Sequence, residues 1–470
     1  MTSFLSSHPQ ACRLLKLSID ESSNIRKPTV QPIDFTGEVQ GVVSYLTVET
    51  DVGRGRGIVR LCKDSRDGHW KAFTLFTTMH ELKGHEEPLG PRRPEGVKHG
   101  YNPSRKNWKD RREDEINFRD GEPTVFIIGA GQAGLTLAAR LKQLGVPTLL
   151  IDRNSRVGDN WRKRYHQLVL HDPVWYDHLP YLNFPDFWPK FTPKDKLGDW
   201  FESYAKFLEL NTWMSTELKS LEYSDDEKRW TVNVTRWTDG KLENRTVRPR
   251  FVVQATGHSG EKNFPSHIKG INDFKGDLLC HSSEFPGAKP NSKGKKAIVV
   301  GCCNSGHDIA QDFYEKGYDV TIVQRSSTYV MTSEAGLDVL LGGLYCEGGP
   351  PIEDADLSFM SVPNHVLKRL HVDATKEIAR RDEKLLDGLR KAGFALDNGP
   401  DDAGFFMKYF QRGGGYYIDV GASQLIVDGK IKVKQGQDIT SVNDHSLSFA
   451  DGSELEADEV VFATGYSNMR

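Results

Sequence analysis

The stretch that decides the fold is Thr124-Val-Phe-Ile-Ile-Gly-Ala-Gly-Gln-Ala-Gly-Leu135, and a second stretch of the same design is Ala297-Ile-Val-Val-Gly-Cys-Cys-Asn-Ser-Gly-His307. Each begins with a short apolar run typical of a buried parallel strand, passes through a glycine-rich turn and enters a helix-like segment. We call residues 129–134 the first turn and residues 301–306 the second turn. A strand, a glycine turn and a helix in this order are typical of dinucleotide binding. The sequence therefore predicts two nucleotide-binding units.

The three glycines of the first turn have separate expected roles. Gly129 allows the tight turn, Gly131 lets the backbone approach a pyrophosphate, and Gly134 lets the helix pack closely on the strand. The next apolar run ends at Asp152, 23 residues after Gly129, near the spacing at which an acid binds ribose hydroxyls. Glycine turns also occur as plain helix caps, but here the strand, the helix and the acid are all present. The residues of this unit expected to bind the first nucleotide are Gly129, Gly131, Gln132, Gly134, Asp152 and Arg153.

The strand that follows the second turn ends differently. It leads into Gln324, Arg325, Ser326 and Ser327, where an NAD site would present an acid. A guanidinium beside hydroxyls suits the 2′-phosphate of NADPH, and the alternative is a solvated arginine at a strand end. The pair of turns therefore predicts FAD at the first and NADPH at the second. The residues expected to bind NADPH are Gly301, Cys303, Ser305, Gly306, Arg325 and Ser326.

Cys303 stands where the fingerprint has its middle glycine, and we expect its thiol to narrow the approach of the backbone to the nucleotide. Its neighbour Cys302 makes a redox pair conceivable, but adjacent cysteines in a tight turn bridge poorly, so we favour a packing role. The six cysteines, which include Cys12, contain no Cys-x-x-Cys and no metal-ligand spacing. We therefore expect reduced thiols and no metal site.

Composition places the chain among globular proteins. Its 470 residues, 37% hydrophobic and 27% charged, suffice for two or three domains. A formal net charge of −3 gives no basic field, which argues against nucleic acid as a partner. No run reaches the roughly 18 apolar residues of a membrane span. The start lacks a basic segment followed by an apolar core, so we expect a cytoplasmic protein without a transmembrane segment.

The sequence favours four segments. They are 1–120, an N-terminal extension with a charged linker; 121–260, the first part of an FAD-binding domain; 261–425, an NADPH-binding domain with an insertion; and 426–470, an incomplete return to the FAD-binding domain. In the extension, 58–61 and 70–76 alternate like strands of a short sheet or hairpin, whereas 83–110 is typical of an irregular arm. The insertion, 330–425, could cover a substrate site or be merely structural.

Two further segments repeat each other, Phe251-Val-Val-Gln-Ala-Thr-Gly-His258 and Glu459-Val-Val-Phe-Ala-Thr-Gly-Tyr466. Each predicts a strand that ends in a flexible turn, where the chain can cross between nucleotide domains. Residues 229–237 and 248–255 alternate like the two strands of a hairpin before the first of these turns. The residues of these turns expected at the cofactors are Gly257, Thr464 and Gly465.

From about Trp70 onward the chain resembles the class B flavin-dependent monooxygenases, particularly a fungal branch that is similar to the plant indole-pyruvate monooxygenases. The resemblance is carried by both turns, by both Ala-Thr-Gly segments, by Arg156-Val-Gly-Asp-Asn-Trp-Arg162, and by Phe274-Lys-Gly-Asp-Leu-Leu-Cys-His281-Ser-Ser-Glu-Phe285. The family pattern has three residues between the glycine and the histidine of the last motif, whereas this chain has four. His281 is therefore carried over across one inserted residue.

The resemblance implies an α/β fold with two Rossmann-like dinucleotide-binding domains. It also implies that NADPH reduces FAD, that the reduced flavin adds O2 to form a C4a-(hydro)peroxyflavin, and that one oxygen atom passes to a small nitrogen or sulfur nucleophile or to a carbonyl. Gly158, Asn160 and Trp161 are implied to lie along FAD, although Trp161 could be ordinary core. His171 and Asp172 are implied to lie near the flavin ring, although His171 could simply bond the backbone.

Asn304 is implied to contact the nicotinamide side, with a plain helix N-cap as the alternative. The relatives continue past the second Ala-Thr-Gly-Tyr with a strand and a helix, whereas this sequence stops at Arg470, so we expect a C-terminally truncated member. Two other functions stay open: a non-catalytic nucleotide-binding relative, and another two-dinucleotide flavoprotein oxidoreductase of the disulfide-reductase type. The missing Cys-x-x-Cys argues against the latter. Substrate identity and oligomeric state do not follow from the sequence.

Overall fold

The computed structural model describes residues 13–97, 99–238, 240–257 and 261–467. Cys12, His258 and Arg470, which entered the sequence analysis, lie outside these ranges. By their contacts the described residues form two compact units. The double-turn unit contains Pro88–Ser326, Ala392–Phe394 and the chain from Gly421 onward; the N-terminal unit contains the chain up to Glu87, Ser327–Lys391 and Ala395–Val420.

Two parallel sheets of the double-turn unit repeat one design. The first has the strand order Phe251–Gln254, Val125–Ile128, Thr148–Ile151, Thr212–Trp213. The second has the order Leu278–His281, Glu459–Phe462, Lys296–Val300, Asp319–Gln324, Ile431–Gln435. The turns lead into the helices Gln132–Gln143 and Asn304–Glu315. The predicted α/β fold with two Rossmann-like halves is confirmed.

A three-stranded antiparallel sheet precedes the closing parallel strand in each half. The strands are Thr216–Ser224, Arg229–Thr238 and Lys241–Val247 in the first half and Ile439–Asn443, Ser446–Phe449 and Glu454–Glu456 in the second. The prediction that 229–237 and 248–255 form a hairpin is wrong, because these two segments do not pair with each other. Residues 241–247 pair with 232–238, because Gly240 supplies a left-handed residue (φ 73°) for a tight connection. Residues 251–254 instead run parallel to 125–128.

The first sheet is buried on both faces, as its apolar runs predict. Ile127 and Leu150, both fully buried, pack in one cluster with Leu135 of the turn helix. Phe126 and Leu149 on the other face pack in a cluster with Val232 of the antiparallel sheet. The short strands Glu261–Lys262 and Tyr466–Ser467 pair with each other, and the remaining helical elements of this unit are Gly90–Arg92, Trp108–Asn117, Asp159–Arg162, Lys194–Phe207, Ser282–Glu284 and Ala422–Val427.

The helix Trp108–Asn117 lies in the charged stretch that the sequence assigned to an arm and linker. Asn107 caps it by accepting a hydrogen bond from the Asp110 N–H at 3.0 Å. The buried Arg112 donates to Asn211 Oδ1 at 3.0 Å, and Trp213 Nε1 donates to the Ile116 carbonyl at 2.8 Å. Contacts with residues about a hundred positions away thus stabilise a helix that has almost no apolar stripe of its own.

The N-terminal unit joins a sheet from the start of the chain to helices from the insertion. The strands are Leu14–Ile19, Thr29–Pro32, Gln40–Thr50, Gly53–Lys63 and Trp70–Leu82, with a second pair Tyr329–Thr332 and Tyr416–Asp419; the helices are Ser333–Leu341, Ile352–Met360, Asn364–Arg381, Glu383–Lys391, Pro400–Asp402 and Gly404–Arg412. Val43 and Ile58 pack against Leu357, and Arg26 forms an ion pair of 3.0 Å with the buried Asp354. Residues 53–63 and 70–82 pair antiparallel, as the predicted hairpin requires.

Candidate functional site

The first turn is closed by contacts that leave no room for a side chain at its first and last glycines. Gly129 has φ 109°, and a Cβ atom there would lie 2.4 Å from the Ala255 carbonyl oxygen. A Cβ on Gly134 would lie 2.0 Å from the Gly129 carbonyl oxygen. At both distances a side chain would require the backbone to move. The strand, the helix and the first Ala-Thr-Gly segment are therefore in direct backbone contact at these two glycines.

The second turn repeats these contacts. Gly301 has φ 115°, and its Cβ would lie 2.3 Å from the Ala463 carbonyl oxygen; a Cβ on Gly306 would lie 2.1 Å from the Gly301 carbonyl oxygen. The two Ala-Thr-Gly segments therefore have the same structural role, because each places an alanine carbonyl against the first glycine of a turn.

The middle position of each turn does not require glycine. Gly131 has φ −86° and Cys303 has φ −91°, both ordinary for any residue, and each precedes the first helical residue without a side-chain cap. A helix start of this kind, with no side-chain cap, is typical of anion-binding sites. A Cβ on Gly131 would meet the Asn160 Nδ2 atom at 3.4 Å, which places that side chain beside the first turn.

Asp152 is held at the end of its strand. Its Oδ2 atom accepts a hydrogen bond from the Ala130 N–H at 3.0 Å, and its Oδ1 atom accepts one from the Asn154 N–H at 2.8 Å. The Asp152 carboxylate is therefore hydrogen-bonded to the backbone of the first turn.

Backbone register identifies Gln324 as the counterpart of Asp152. The Gly129 N–H bonds the Ile151 carbonyl at 2.8 Å, and the Gly301 N–H bonds the Val323 carbonyl at 3.0 Å, so the next residues correspond. Gln324 is buried, and the amide replaces the acid there.

Arg153 and Arg325 occupy the next matching pair of positions, and both are exposed. Ser326 is exposed as well. Within the part of the chain that the structure describes, Arg325 makes no hydrogen bond and no ion pair. Its guanidinium is therefore available to a ligand beside the second turn.

The Arg156–Arg162 motif forms a tight loop and a short helix. Gly158 has φ 90°, and a Cβ there would lie 2.2 Å from the Gly198 carbonyl oxygen. Arg162 pairs with the buried Asp159 at 3.1 Å. Trp161 packs partly buried against the core cluster, yet its buried Nε1 atom has no hydrogen-bond partner among the described residues. Trp161 is thus part of the core and also presents an unused donor.

The loop that follows this motif reaches the helix of the second turn. Tyr165 Oη donates a hydrogen bond to Asp308 Oδ2 at 2.7 Å, and His171 Nε2 lies 3.5 Å from the same oxygen. His171 and Tyr165 are buried, and Asp308 belongs to the helix that begins at Asn304. His171 therefore has a carboxylate neighbour rather than only backbone around it. Tyr165 and Asp308 were not singled out from the sequence.

Two acids lie just beyond His171. Burial raises the pKa of both Asp172 and Asp177, and the charge of Asp172 adds to the rise for Asp177, which reaches about 8. The buried Oδ2 atom of Asp177 has no hydrogen-bond partner among the described residues. Burial therefore favours the protonated form of Asp177, which the sequence analysis did not single out.

His281 supports the second Ala-Thr-Gly segment. Its Nε2–H donates to the Gly465 carbonyl at 2.9 Å, and its Nδ1 atom accepts from the Ser283 N–H at 3.2 Å. Thr464 Oγ1 donates to the Asn263 carbonyl at 2.6 Å. Gly465 and Gly257 have φ 76° and 79°, so both segments use a left-handed glycine. Burial lowers the pKa of His281, which favours this neutral, single-tautomer arrangement.

Asn304 is the first residue of its helix, and Cys303 is the N-cap. The alternative in which Asn304 merely caps the helix is therefore wrong. Ser305 is the second residue of this helix and is half-buried. Among residues 13–97, 99–238, 240–257 and 261–467 the structure shows no group of three or more His, Cys, Asp or Glu side chains placed to bind a metal. No helix in these ranges has the length and apolar character needed to traverse a bilayer.

The glycine turns, the paired sheets and the differing strand ends define an oxidoreductase of the two-dinucleotide type. Residues 126–335 match the family model described as pyridine nucleotide-disulphide oxidoreductase. The probable indole-3-pyruvate monooxygenase YUCCA3 of Arabidopsis thaliana is 30% identical over 344 residues, 72% of each chain. The probable indole-3-pyruvate monooxygenase YUCCA10 of the same plant is 30% identical over 348 residues, 74% of this chain and 82% of the relative. The chain belongs to the class B flavin-dependent monooxygenases, FAD- and NADPH-dependent oxidoreductases, as the resemblance implied.

Solved structures agree on the fold. A steroid monooxygenase bound to NADP superposes with a TM-score of 0.54 at 18% identity, covering 74% of this chain and 71% of that one. A closed cyclohexanone monooxygenase gives 0.51 at 18% identity, covering 73% and 70%.

Proposed function

We propose that the protein uses NADPH and FAD to insert one oxygen atom from O2 into a small organic molecule, a nitrogen or sulfur nucleophile or a carbonyl compound. The observation that carries the proposal is the pair of equal turns with unequal strand ends, Asp152 at one and Gln324-Arg325 at the other. One end suits free ribose hydroxyls and the other suits a phosphorylated ribose.

The residues around the first turn fit FAD. An uncapped helix start at Gly131 offers N–H groups to a pyrophosphate, and Asp152 lies beneath it with lone pairs to spare for ribose hydroxyls. Trp161 Nε1 supplies a buried donor in need of an acceptor, which an oxygen of the flavin nucleotide would provide. Asn160, beside Gly131, adds an amide at the phosphates.

The residues around the second turn fit NADPH. The helix start at Cys303 is likewise uncapped, and the exposed Arg325 with Ser326 would hold the 2′-phosphate. The Cys303 side chain occupies space that is empty at Gly131, so we expect a longer distance between this backbone and the pyrophosphate.

No protein nucleophile is needed, because the bound flavin supplies the redox chemistry and the activation of O2. The tasks left to the chain are binding, orientation and the exclusion of water. His171 and Asp172 are our candidates for the flavin side of the site, and Asn304 for the nicotinamide side. Burial raises the pKa of both Asp172 and Asp177, which favours neutral carboxyl groups in the loop after His171.

The substrate class is narrowed by the names of the curated relatives. Because YUCCA3 and YUCCA10 are named as probable indole-3-pyruvate monooxygenases, an aromatic 2-oxo acid is the first compound to try. An amine, a thioether and a cyclic ketone complete a panel that covers the other chemistries of the proposal.

The test is NADPH-dependent oxygen uptake with this panel under ¹⁸O2, followed by mass spectrometry of the product. We expect one labelled oxygen atom in the product of at least one compound, and no label when NADPH is omitted. Binding of both nucleotides with no labelled product from any compound would contradict the proposal and favour a non-catalytic relative.

A further inference from the structure

A single carboxylate connects the loop after the first turn to the helix of the second. Asp308 Oδ2 accepts the Tyr165 hydroxyl at 2.7 Å, although the two residues are 143 positions apart in the chain. Tyr165 is only 4% exposed, so the bond is shielded from water. A charge-assisted hydrogen bond in such surroundings is stronger than a neutral one and defines the separation of the groups that carry it.

The same carboxylate has a second neighbour. His171 Nε2 lies 3.5 Å from it. Both ends of the loop segment 165–171 are therefore in contact with the first turns of the helix Asn304–Glu315. Residues 304–306 of that helix belong to the proposed NADPH site, and His171 belongs to the proposed flavin site.

We propose that Tyr165 and Asp308 are positioning residues that transmit occupancy of the second turn to the loop at the flavin. A nucleotide held by the second turn fixes the start of its helix, and the Tyr165–Asp308 bond then fixes the loop that carries His171 and Asp172. The inference rests on the proposed function, because it assumes that NADPH binds at the second turn and FAD beside the loop.

The chain offers a matched control of the same chemistry. Tyr318 Oη donates to Glu459 Oε1 at 2.8 Å, across 141 positions, and Tyr318 is 3% exposed. This bond lies at the opposite, amino-terminal ends of the strands Asp319–Gln324 and Glu459–Phe462, remote from the turn at their carboxyl ends. Tyr318→Phe thus removes an equally buried hydroxyl without touching the loop.

The first readout is hydrogen exchange, which needs no turnover. We expect NADP⁺ to slow amide exchange in residues 165–172 of the flavin-loaded wild-type protein and of Tyr318→Phe, but not of Tyr165→Phe. Asp308→Asn keeps an acceptor of the same size and is expected to retain part of the protection. Equal protection in Tyr165→Phe and wild type, or no protection in wild type, would overturn the inference.

The second readout is the rate at which NADPH bleaches the flavin without oxygen. We expect Tyr165→Phe to be reduced about tenfold more slowly than wild type at saturating NADPH, with a similar half-saturating concentration, as loss of one buried hydrogen bond predicts. An unchanged rate would contradict the inference while leaving the proposed function intact. A wild-type flavin that NADPH does not bleach would instead contradict the proposed function, and the exchange experiment would still decide the inference.

Discussion

The two glycine turns share their backbone and differ in the side chains around it. Gly129 and Gly301 have φ angles of 109° and 115°, and a Cβ atom on either would strike an alanine carbonyl at 2.4 or 2.3 Å. The strand ends carry Asp152 in one half and Gln324 in the other. The two turns therefore share one backbone geometry, and under the proposed function the residues that follow the neighbouring strands, Asp152 and Gln324-Arg325, would select the nucleotide.

The largest expected effect comes from a side chain at the first glycine of either turn. Gly129→Ala and Gly301→Ala each combine a left-handed φ with a backbone clash, so we expect the free energy of unfolding to fall by about 4 kcal/mol in both. Urea unfolding measures it. Gly121→Ala is the control, because a Cβ there meets nothing within 4 Å. A large loss of unfolding free energy in only one of the two variants would show that the two turns are not structurally equivalent.

The next effect belongs to the loop that follows the first turn. The pKa of Asp177 is raised from 3.8 to about 8, chiefly by burial. Between these values the folded state holds more protons than the unfolded chain, so the free energy of unfolding falls as the pH rises from 5 to 8, by about 3 kcal/mol in all.

Asp177→Asn should remove most of this pH dependence, because the neutral amide replaces the protonated acid. Urea unfolding at pH 5, 6.5 and 8 tests this expectation, with the exposed Asp186→Asn as the control. A variant with the full wild-type slope would show that another group titrates.

A smaller effect distinguishes the strand ends. We expect Arg325→Ala to weaken NADPH binding by about 1–3 kcal/mol and NADH binding hardly at all, because only NADPH has the 2′-phosphate. Calorimetry with both coenzymes measures the ratio. Arg153→Ala, at the matching place of the first half, should leave that ratio unchanged. Equal losses for the two coenzymes after Arg325→Ala would remove the distinction between the halves.

The smallest effect tests the middle position. Since Cys303 has an ordinary φ, Cys303→Gly should change the free energy of unfolding by less than about 1 kcal/mol. It should also bind NADP⁺ a few-fold more tightly, by opening the approach to the turn. In the reciprocal variant, Gly131→Cys, the thiol would crowd Asn160 and weaken FAD binding. Titration of each nucleotide into each variant would show whether the thiol matters at all.

Sequence patterns predicted what depends on neighbouring residues. Apolar runs and left-handed glycines are local, so the strands at 125–128 and 296–300 and the turns after them could be predicted from the chain alone. The contrast of Asp152 with Gln324-Arg325 could be predicted as well, because each follows its strand directly.

What depends on distant contacts could not be predicted. Tyr165 meets Asp308 across 143 residues, and no local pattern indicates this bond. Likewise, the helix Trp108–Asn117 depends on Arg112 bonding Asn211, and the N-terminal sheet depends on Leu357 for part of its core. The burial that raises the pKa of Asp177 is also a property of the fold, not of the sequence around it.

The two turns share one backbone geometry, and we propose that they bind different nucleotides, FAD at the first and NADPH at the second. The most direct test is the visible spectrum of the purified protein, followed by anaerobic titration with NADPH and with NADH. We predict one FAD per chain, bleached by NADPH at a much lower concentration than by NADH. Two flavins per chain, or equal bleaching by both coenzymes, would contradict the claim that the strand ends select the nucleotide.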